Sequence, residues 1–429
     1  MIRTRIAPSP TGYFHIGTAR TALFNFLYAR QHKSGEFLLR IEDTDRARSK
    51  KVYEKDILAG LKWLGLTPDG KPYRQSERLK LYETYLGKLK QKKAIYEKNG
   101  ATYFKVADYG TGNRISWNDL IRGEISFSLK DLKDFVIVRS DGTPLFSFTS
   151  VVDDLETKVS HVIRGEDMTS NTPLQLMIAK VLGVKAPEYG HLPLILAPDR
   201  SKLSKRHGAV AVREYERMGI VPEALVNYLA LLGWNPGGNE ELFTLGELVK
   251  KFKLDRVQKG GAIFDIDKLI HINRLWIKRL SDKELVRTLK PYSKLGLEPE
   301  LMERVVHITR ERLGRLVEFD SAASFANVVD YEPKLLVFKS STKAQTLTGL
   351  TVTLAKLQSP KVDLKNPGST SELLAKLVEL NKLNNGDLFW PVRVALSGSE
   401  TSPGPHELMW ALGKDESITR IKKAIGKLE

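Results

Sequence analysis

The chain has 429 residues, 41% hydrophobic and 28% charged, which are globular proportions that exclude bulk disorder. It has no cysteine, which excludes disulfides, thiolate metal sites and a cysteine nucleophile together. A net charge of +17 points to a polyanionic partner, nucleic acid ahead of an anionic membrane surface. No apolar run approaches the roughly 18 residues of a membrane span, and the opening MIRTRIAPSP has no signal-peptide core, so a soluble cytoplasmic protein of about three domains is expected.

In chain order, IRTRIA (Ile2 to Ala7) reads as a strand stopping at Pro8. Ala19, Leu23, Phe26 and Leu27 then recur at helical spacing, FLLRIED (Phe37 to Asp43) reads as a second strand, and Ile57, Leu61 and Leu64 mark a second helix. Short apolar strands alternating with helices predict a parallel sheet with crossovers. The pattern is interrupted over 97–134, which includes YGTGN (Tyr109 to Asn113). It resumes with FVIV (Phe135 to Val138), with VSHVIRGED (Val159 to Asp167), with a helix from about Ser170 to Leu182, and with LPLIL from Leu192. Beyond 210 the strands stop. Pro222 opens a helix with Leu225, Tyr228, Leu229 and Leu232 on one face, ended by Gly233, and helical patterns continue to Ile418, Ile421 and Ile425. Between 250 and 279, nine basic residues face three acidic ones, which suits an RNA-facing surface and equally a solvated helical face.

Two segments carry phosphate chemistry. In APSPTGYFHIGTAR (Ala7 to Arg20) a strand ends in prolines and enters a helix near His15. The helix N-terminus presents amides and a positive dipole end, Gly17 leaves room for a nucleotide, and His15 is a donor for a phosphate oxygen. In RSKLSKRHGA (Arg200 to Ala209), Lys202, Ser204 and Lys205 can neutralise a triphosphate whose leaving group is gaining charge. Taken singly, the first is also an ordinary strand–turn–helix with a capping histidine, and the second a basic surface loop. In a doubly wound sheet both would reach the carboxyl ends of the strands, where nucleotides bind.

HIGT (His15 to Thr18) and KLSKR (Lys202 to Arg206) resemble the HIGH and KMSKS signatures of class I aminoacyl-tRNA synthetases. The flanks TRIAPSPTG, LLRIEDTDRAR, LKWLGL, YRQSERL, VVDD, HVIRGED, PEALVNYLALLGW and VRVALSGSETSPG resemble the bacterial glutamyl-tRNA synthetases, along nearly the whole chain. The resemblance implies a Rossmann-type α/β catalytic domain in two halves, 1–96 and 135–210, around a shortened connective insertion, 97–134. A helical stem-contact domain, 211–315, and a helical anticodon-binding domain, 316–429, would follow.

The implied activity is ATP-dependent ligation of L-glutamate to tRNA-Glu through a glutamyl-adenylate, with magnesium accompanying the ATP. Charging of tRNA-Gln as well is an alternative, and so is a catalytically inactive tRNA-binding paralogue. The family gives catalytic roles to His15, Lys202 and Lys205, and ATP binding to these three with Pro8, Gly17, Thr18, Leu203, Ser204 and Arg206. It gives glutamate to Arg5, Ala7, Ser9, Glu42, Phe146, Ser150 and Arg164, with arginine forks for a carboxylate and Glu42 for the ammonium. From the residues alone, Arg5 and Glu42 also read as an ordinary ion pair and Arg164 as a structural arginine.

The sequence departs from the family at two places. Phe146 stands where a tyrosine is usual, and the insertion has no cysteine, so no zinc is expected. The short insertion also leaves no room for an editing domain. A monomer is implied. Three rival readings remain: a transferase acting on a modified tRNA base, disfavoured by residues 250–429; a simple nucleotidyltransferase, disfavoured by the flanks; and an inactive scaffold, disfavoured by the intact signatures.

Overall fold

A computed structural model describes residues 1–106, 114–204, 211–327 and 330–429. They form two compact units, Met1–Ile272 and Asn273–Glu429.

The first unit opens with β1 (Arg3–Ile6), α1 (Ile16–Arg30), β2 (Glu36–Ile41), α2 (Lys51–Trp63), β3 (Tyr73–Arg74) and α3 (Leu79–Gln91). β1, β2 and β3 pair in parallel, with Arg3 opposite Glu36 and Arg40 opposite Tyr73. α1 is buried nearly all round, at Ile16, Ala19, Leu23, Phe24 and Leu27 among others, because it packs on β1 and β2 and is covered in turn by later helices.

The interruption is a β structure that the sequence reading left irregular. β4 (Ile95–Lys98) and β5 (Ala101–Phe104) form a hairpin turning through Asn99 and Gly100, both at positive φ. Asn-Gly is the strongest short hairpin signal, and it lay unread in KNGA. β6 (Arg114–Asp119) and β7 (Gly123–Ser128) form a second hairpin, with Gly123 at φ +81°. Alternating Ile115 and Trp117 against Ile125 and Phe127 carry its period-two pattern. β8 (Phe135–Val138), expected with the resumed parallel sheet, pairs antiparallel with β5 instead. The YGTGN segment lies outside the described residues.

The parallel pattern then returns with α4 (Phe146–Glu156), β9 (His161–Gly165), α5 (Thr172–Leu182) and β10 (Glu188–Leu192), and β9 and β10 pair in parallel. The Ser160 amide donates to Arg3 O at 2.9 Å, which seats β9 along the edge of β1 that β2 leaves open. The carboxyl ends of β1 and β9 therefore lie side by side, the crevice where such sheets bind nucleotides. LPLIL divides at Pro193, so β10 ends at Leu192 and β11 is only Ile195–Leu196.

After α6 (Val212–Arg217), α7 (Pro222–Leu231) and α8 (Leu245–Lys251), strand structure reappears as β12 (Ala262–Ile263), parallel to β11. The expectation that strands stop at 210 is corrected here. A Cβ on Gly261 would stand 2.5 Å from the Leu196 side chain, so the glycine permits this return. α9 (Ile266–Arg279) leads out of the unit.

The second unit is helical among the described residues: α10 (Asp282–Leu289), α11 (Pro299–Thr309), α12 (Phe319–Ala322), α13 (Lys343–Gln358), α14 (Pro367–Leu380), α15 (Asn385–Ser397), α16 (Pro405–Leu412) and α17 (Lys414–Leu428). Its core holds Leu350, Leu374, Val392, Leu396, Leu408 and Ile421, all fully buried. Gly349 lets α13 meet α15 closely, since a Cβ there would lie 2.0 Å from Asp387 O. Among the described residues, no helix is long and apolar enough to cross a membrane.

Candidate active site

A cavity of about 470 Å³ opens at the carboxyl ends of β1 and β9. The first signature segment builds one wall. β1 ends at Ile6, the chain runs extended through the prolines, and His15 caps α1, its Nδ1 accepting the Gly17 amide at 3.0 Å. That bond leaves the neutral ring its proton on Nε2. A Cβ on Gly17 would lie 3.2 Å from Nδ1, so the glycine makes room first of all for the histidine ring. Pro8, Gly17 and Thr18 line the cavity with His15.

The second signature segment builds the facing wall. Leu203 donates its amide to Ile195 O at 3.1 Å, and Lys202 bridges Leu196. Lys202 Nζ reaches Asp167 Oδ2 at 3.2 Å, and both ends of this pair are largely exposed. Lys202 and Leu203 line the cavity, and the described chain resumes at Ala211, which bridges His15. Lys205 and Arg206 lie outside the described residues. The two segments, far apart in sequence, thus meet across one cavity.

Charged side chains of both signs close the floor. Arg5 and Arg164 line it with Glu42, and Ala7, Ser9 and Phe146 complete that end. Arg5 bonds Asp154 through Nε at 3.1 Å and Nη2 at 3.4 Å, not Glu42. Glu42 takes its bond from Arg40 at 2.9 Å instead. The Arg5–Glu42 ion pair considered from sequence is therefore corrected to two separate pairs. Burial pushes the Glu42 carboxyl above its usual range, against the pull of Arg40 and Arg5. Arg164 donates from Nε to His191 Nε2 at 3.2 Å and from Nη2 to Thr172 Oγ1 at 2.7 Å. Its buried Nη1 finds no hydrogen-bond partner among the described residues. Burial lowers its pKa to about 10, so it remains a cation at neutral pH.

Ser150 does not line the cavity. It is fully buried inside α4, donating to Phe146 O at 2.6 Å and accepting Gln175 Nε2 at 2.6 Å, because α4 packs that face on α5.

Residues 1–102 and 92–271 match the family described as tRNA synthetases class I (E and Q), catalytic domain, and residues 284–425 match an anticodon binding domain. A glutamate–tRNA ligase of Thermoanaerobacter pseudethanolicus is 39% identical, covering 99% of this chain and 98% of that protein. Another, from Caldanaerobacter subterraneus, is 37% identical over 100% and 98%. A solved glutamate tRNA ligase from Elizabethkingia meningosepticum superposes with a TM-score of 0.88, at 29% identity and full coverage of both chains. The chain belongs to the glutamyl-tRNA synthetase family, class I.

Sequence reasoning passed over the residues that hold this family's site in shape here. Arg40 is fully buried on β2 and bonds Asp154 Oδ1 at 2.6 Å as well as Glu42. Its neighbour Asp153 accepts from Gln75, from Arg78 and from the Tyr82 hydroxyl. The signals were present: an arginine inside the apolar LLRI, and two acids inside the buried VVDD. A buried charge requires a partner. Arg20, quoted in the first signature without a role, is buried and ties α1 to Leu232 O at 3.1 Å and to Pro193 O. Among the described residues no group of three or more His, Asp or Glu is placed to hold a metal ion. The second unit carries a separate cavity of about 500 Å³, lined by Arg312 and Arg315 and by Ser399, Thr401 and Ser402 of the SGSETSPG run.

Proposed function

We propose that the chain joins L-glutamate to tRNA-Glu in two steps. In the first, the glutamate α-carboxylate attacks the α-phosphorus of ATP and pyrophosphate leaves. In the second, a hydroxyl of the terminal tRNA adenosine attacks the adenylate carbonyl and AMP leaves. The observation that carries this reading is the convergence of both phosphate-handling segments on a cavity whose floor holds two arginines and a glutamate.

The cavity divides by charge. Arg164, with one nitrogen unpartnered among the described residues, suits the side-chain carboxylate, with Arg5 beside it, and Glu42 suits the ammonium. Ala7, Ser9 and Phe146 wall that subsite. The ATP phosphates would lie toward the α1 N-terminus and His15 Nε2–H, with Lys202 opposite, and magnesium would enter as part of the ATP. Pro8, Gly17, Thr18 and Leu203 shape the nucleotide side. Ser204, Lys205 and Arg206 are assigned there by their place in KLSKR. No covalent nucleophile is required, because positioning and charge stabilisation suffice for an in-line displacement.

Along the chain, the proposed division of labour gives catalysis to 1–96 and 135–210, and the acceptor stem to 97–134. Residues 211–315 meet the tRNA stem and 316–429 read the anticodon. The boundary at 315/316 falls inside the second compact unit, so it divides function and not packing. ATP–pyrophosphate exchange with glutamate, run with and without tRNA, tests the reading, followed by transfer to tRNA-Glu and to tRNA-Gln. Absence of exchange under both conditions would refute it. Transfer to tRNA-Gln at comparable efficiency would replace single-acceptor specificity with dual charging.

A further inference from the structure

The β6–β7 hairpin of the insertion reaches the amino-acid end of the cavity through two buried side chains. Asp119, at the end of β6, is 2% exposed. Its Oδ1 accepts the amides of Ile121 at 3.1 Å, Arg122 at 3.0 Å and His191 at 3.1 Å, and its Oδ2 lies 2.5 Å from His191 Nδ1. A carboxylate bound by three amides is an acceptor, so the proton of the fourth bond sits on Nδ1. His191 is fully buried on β10, and its Nε2 stands 3.2 Å from Arg164 Nε and 3.1 Å from Thr172 Oγ1. An arginine Nε has only a hydrogen to offer, so Nε2 must present its lone pair. Both nitrogens therefore require the same species, a neutral imidazole protonated at Nδ1.

We propose that Asp119 and His191 are positioning residues for Arg164. Asp119 sets the tautomer of His191, and His191 Nε2 with Thr172 fixes two nitrogens of the planar guanidinium, which aims the third, Nη1, for the substrate carboxylate. A fork held at two corners has no freedom left at the third. The opposite tautomer would set an N–H against the Arg164 Nε–H and leave the guanidinium held at Nη2 alone, by Thr172 Oγ1 and Met168 O. The hairpin is itself seated on β10, where the Leu120 amide donates to Tyr189 O at 2.8 Å. A structural element outside the parallel sheet thus controls the geometry of the amino-acid subsite. This rests on the reading of Arg164 as a glutamate ligand.

On balance the groups facing His191 favour a neutral ring. Arg164 comes from β9, and Arg122 from the hairpin turn, donating to His191 O at 3.3 Å and also bonding Glu166. Tyr189 stacks at 6.2 Å on the same strand, and Trp117 approaches from β6. Burial and the two arginines disfavour the imidazolium, and Asp119 opposes them, with the net pKa below the usual histidine value.

The decisive variant is Asp119→Asn. It keeps the oxygen that accepts the amides but turns an NH₂ toward Nδ1, which forces the proton to Nε2. The expected result is a KM for glutamate raised about tenfold or more, with the KM for ATP within about twofold of the parent, since about 1.4 kcal/mol of lost binding is one decade. ¹⁵N imidazole NMR at pH 7, with His191 assigned by its loss in His191→Gln, should show the Nδ1–H tautomer in the parent and the Nε2–H tautomer in the variant. Arg164→Lys is the control. If Arg164→Lys leaves the glutamate KM unchanged, the reading of Arg164 fails. If Arg164→Lys raises it and Asp119→Asn does not, the positioning role fails and that reading stands. Should Asp119→Asn not fold, the parent spectrum decides: an Nε2–H or doubly protonated His191 overturns the proposal.

Discussion

Arg40 is a full charge in the middle of a strand, buried among three carboxylates, and it holds Glu42 and Asp154 to one geometry. Burial disfavours the Asp154 carboxylate, but Arg5 and Arg40 outweigh it and hold its pKa below the usual range. A carboxyl depressed in the fold contributes stability above its unfolded pKa of about 3.9, and that contribution is lost as pH falls through the folded value. Arg40→Met strands these acids. It is expected to cost about 3–5 kcal/mol in urea unfolding. Arg48→Ala, which breaks the exposed pair with Asp45 at 2.7 Å, is expected to leave stability nearly unchanged. Equal costs would show that the buried cluster relaxes or hydrates. Phe146 is a second residue-scale test, because it lines the amino-acid end of the cavity and brings no hydroxyl there. Phe146→Tyr should lower the KM for glutamate a few-fold, the worth of one neutral hydrogen bond of about 1 kcal/mol. A raised KM in initial-rate kinetics would mean that the subsite has closed around the phenyl ring.

Among elements, the α1 N-terminus and the segment from Ile195 to Leu203 both line the cavity, and the proposed reading gives them the ATP phosphates. The His15 ring is pinned by its own helix through the Gly17 amide, so its Nε2–H direction comes with the helix. Among the described residues the Lys202 ammonium pairs with Asp167 in an exposed contact, which adds little to folding. If, as proposed, Lys205 and His15 meet charge that grows as pyrophosphate leaves, Lys205→Ala and His15→Ala should each slow glutamyl-adenylate formation by about 10²–10³, with a smaller change in the KM for ATP. The double variant should lose less than the product of the two, since both stabilise one charge distribution. Rapid-quench measurement in the presence of tRNA isolates this step. A raised KM for ATP at an unchanged rate would make the lysine a ground-state clamp. The hairpins were hidden for another reason: β6 and β7 are only half-buried and polar between their aromatics, so their alternation is faint beside the apolar runs of the parallel strands.

Across the molecule, the +17 charge predicts tRNA affinity that falls steeply with salt as counterions are released. The basic run from 250 is exposed at Lys250, Lys251 and Lys253, but acids from outside the run reach it, with Glu240 on Lys251 and Glu241 on Lys268. Its effective excess is therefore smaller than its composition. Charge reversal of Lys250, Lys251 and Lys253 should weaken tRNA binding and spare ATP binding, read by filter binding across a salt series. A flat salt response would refute the electrostatic argument, and unchanged affinity in the triple variant would place the interface elsewhere.

Much of this was legible in one dimension because its physics is local. Period-two and helical spacing depend on neighbours in sequence, and they sufficed to place β1, α1, β2, α2, β9 and α5. The partners of buried charges were not legible. Arg5 could reach Glu42 or Asp154, and Arg164 could be structural or poised, since a charge takes whichever opposite group the fold brings within a few ångströms. Only the packing of α4 on α5, with Asp154 reaching Arg5 and Arg40, gave Arg5 to Asp154 and turned Ser150 away from the cavity. Only the docking of β6 on β10 brought Asp119 to His191, and among the described residues it left Arg164 Nη1 without a hydrogen-bond partner.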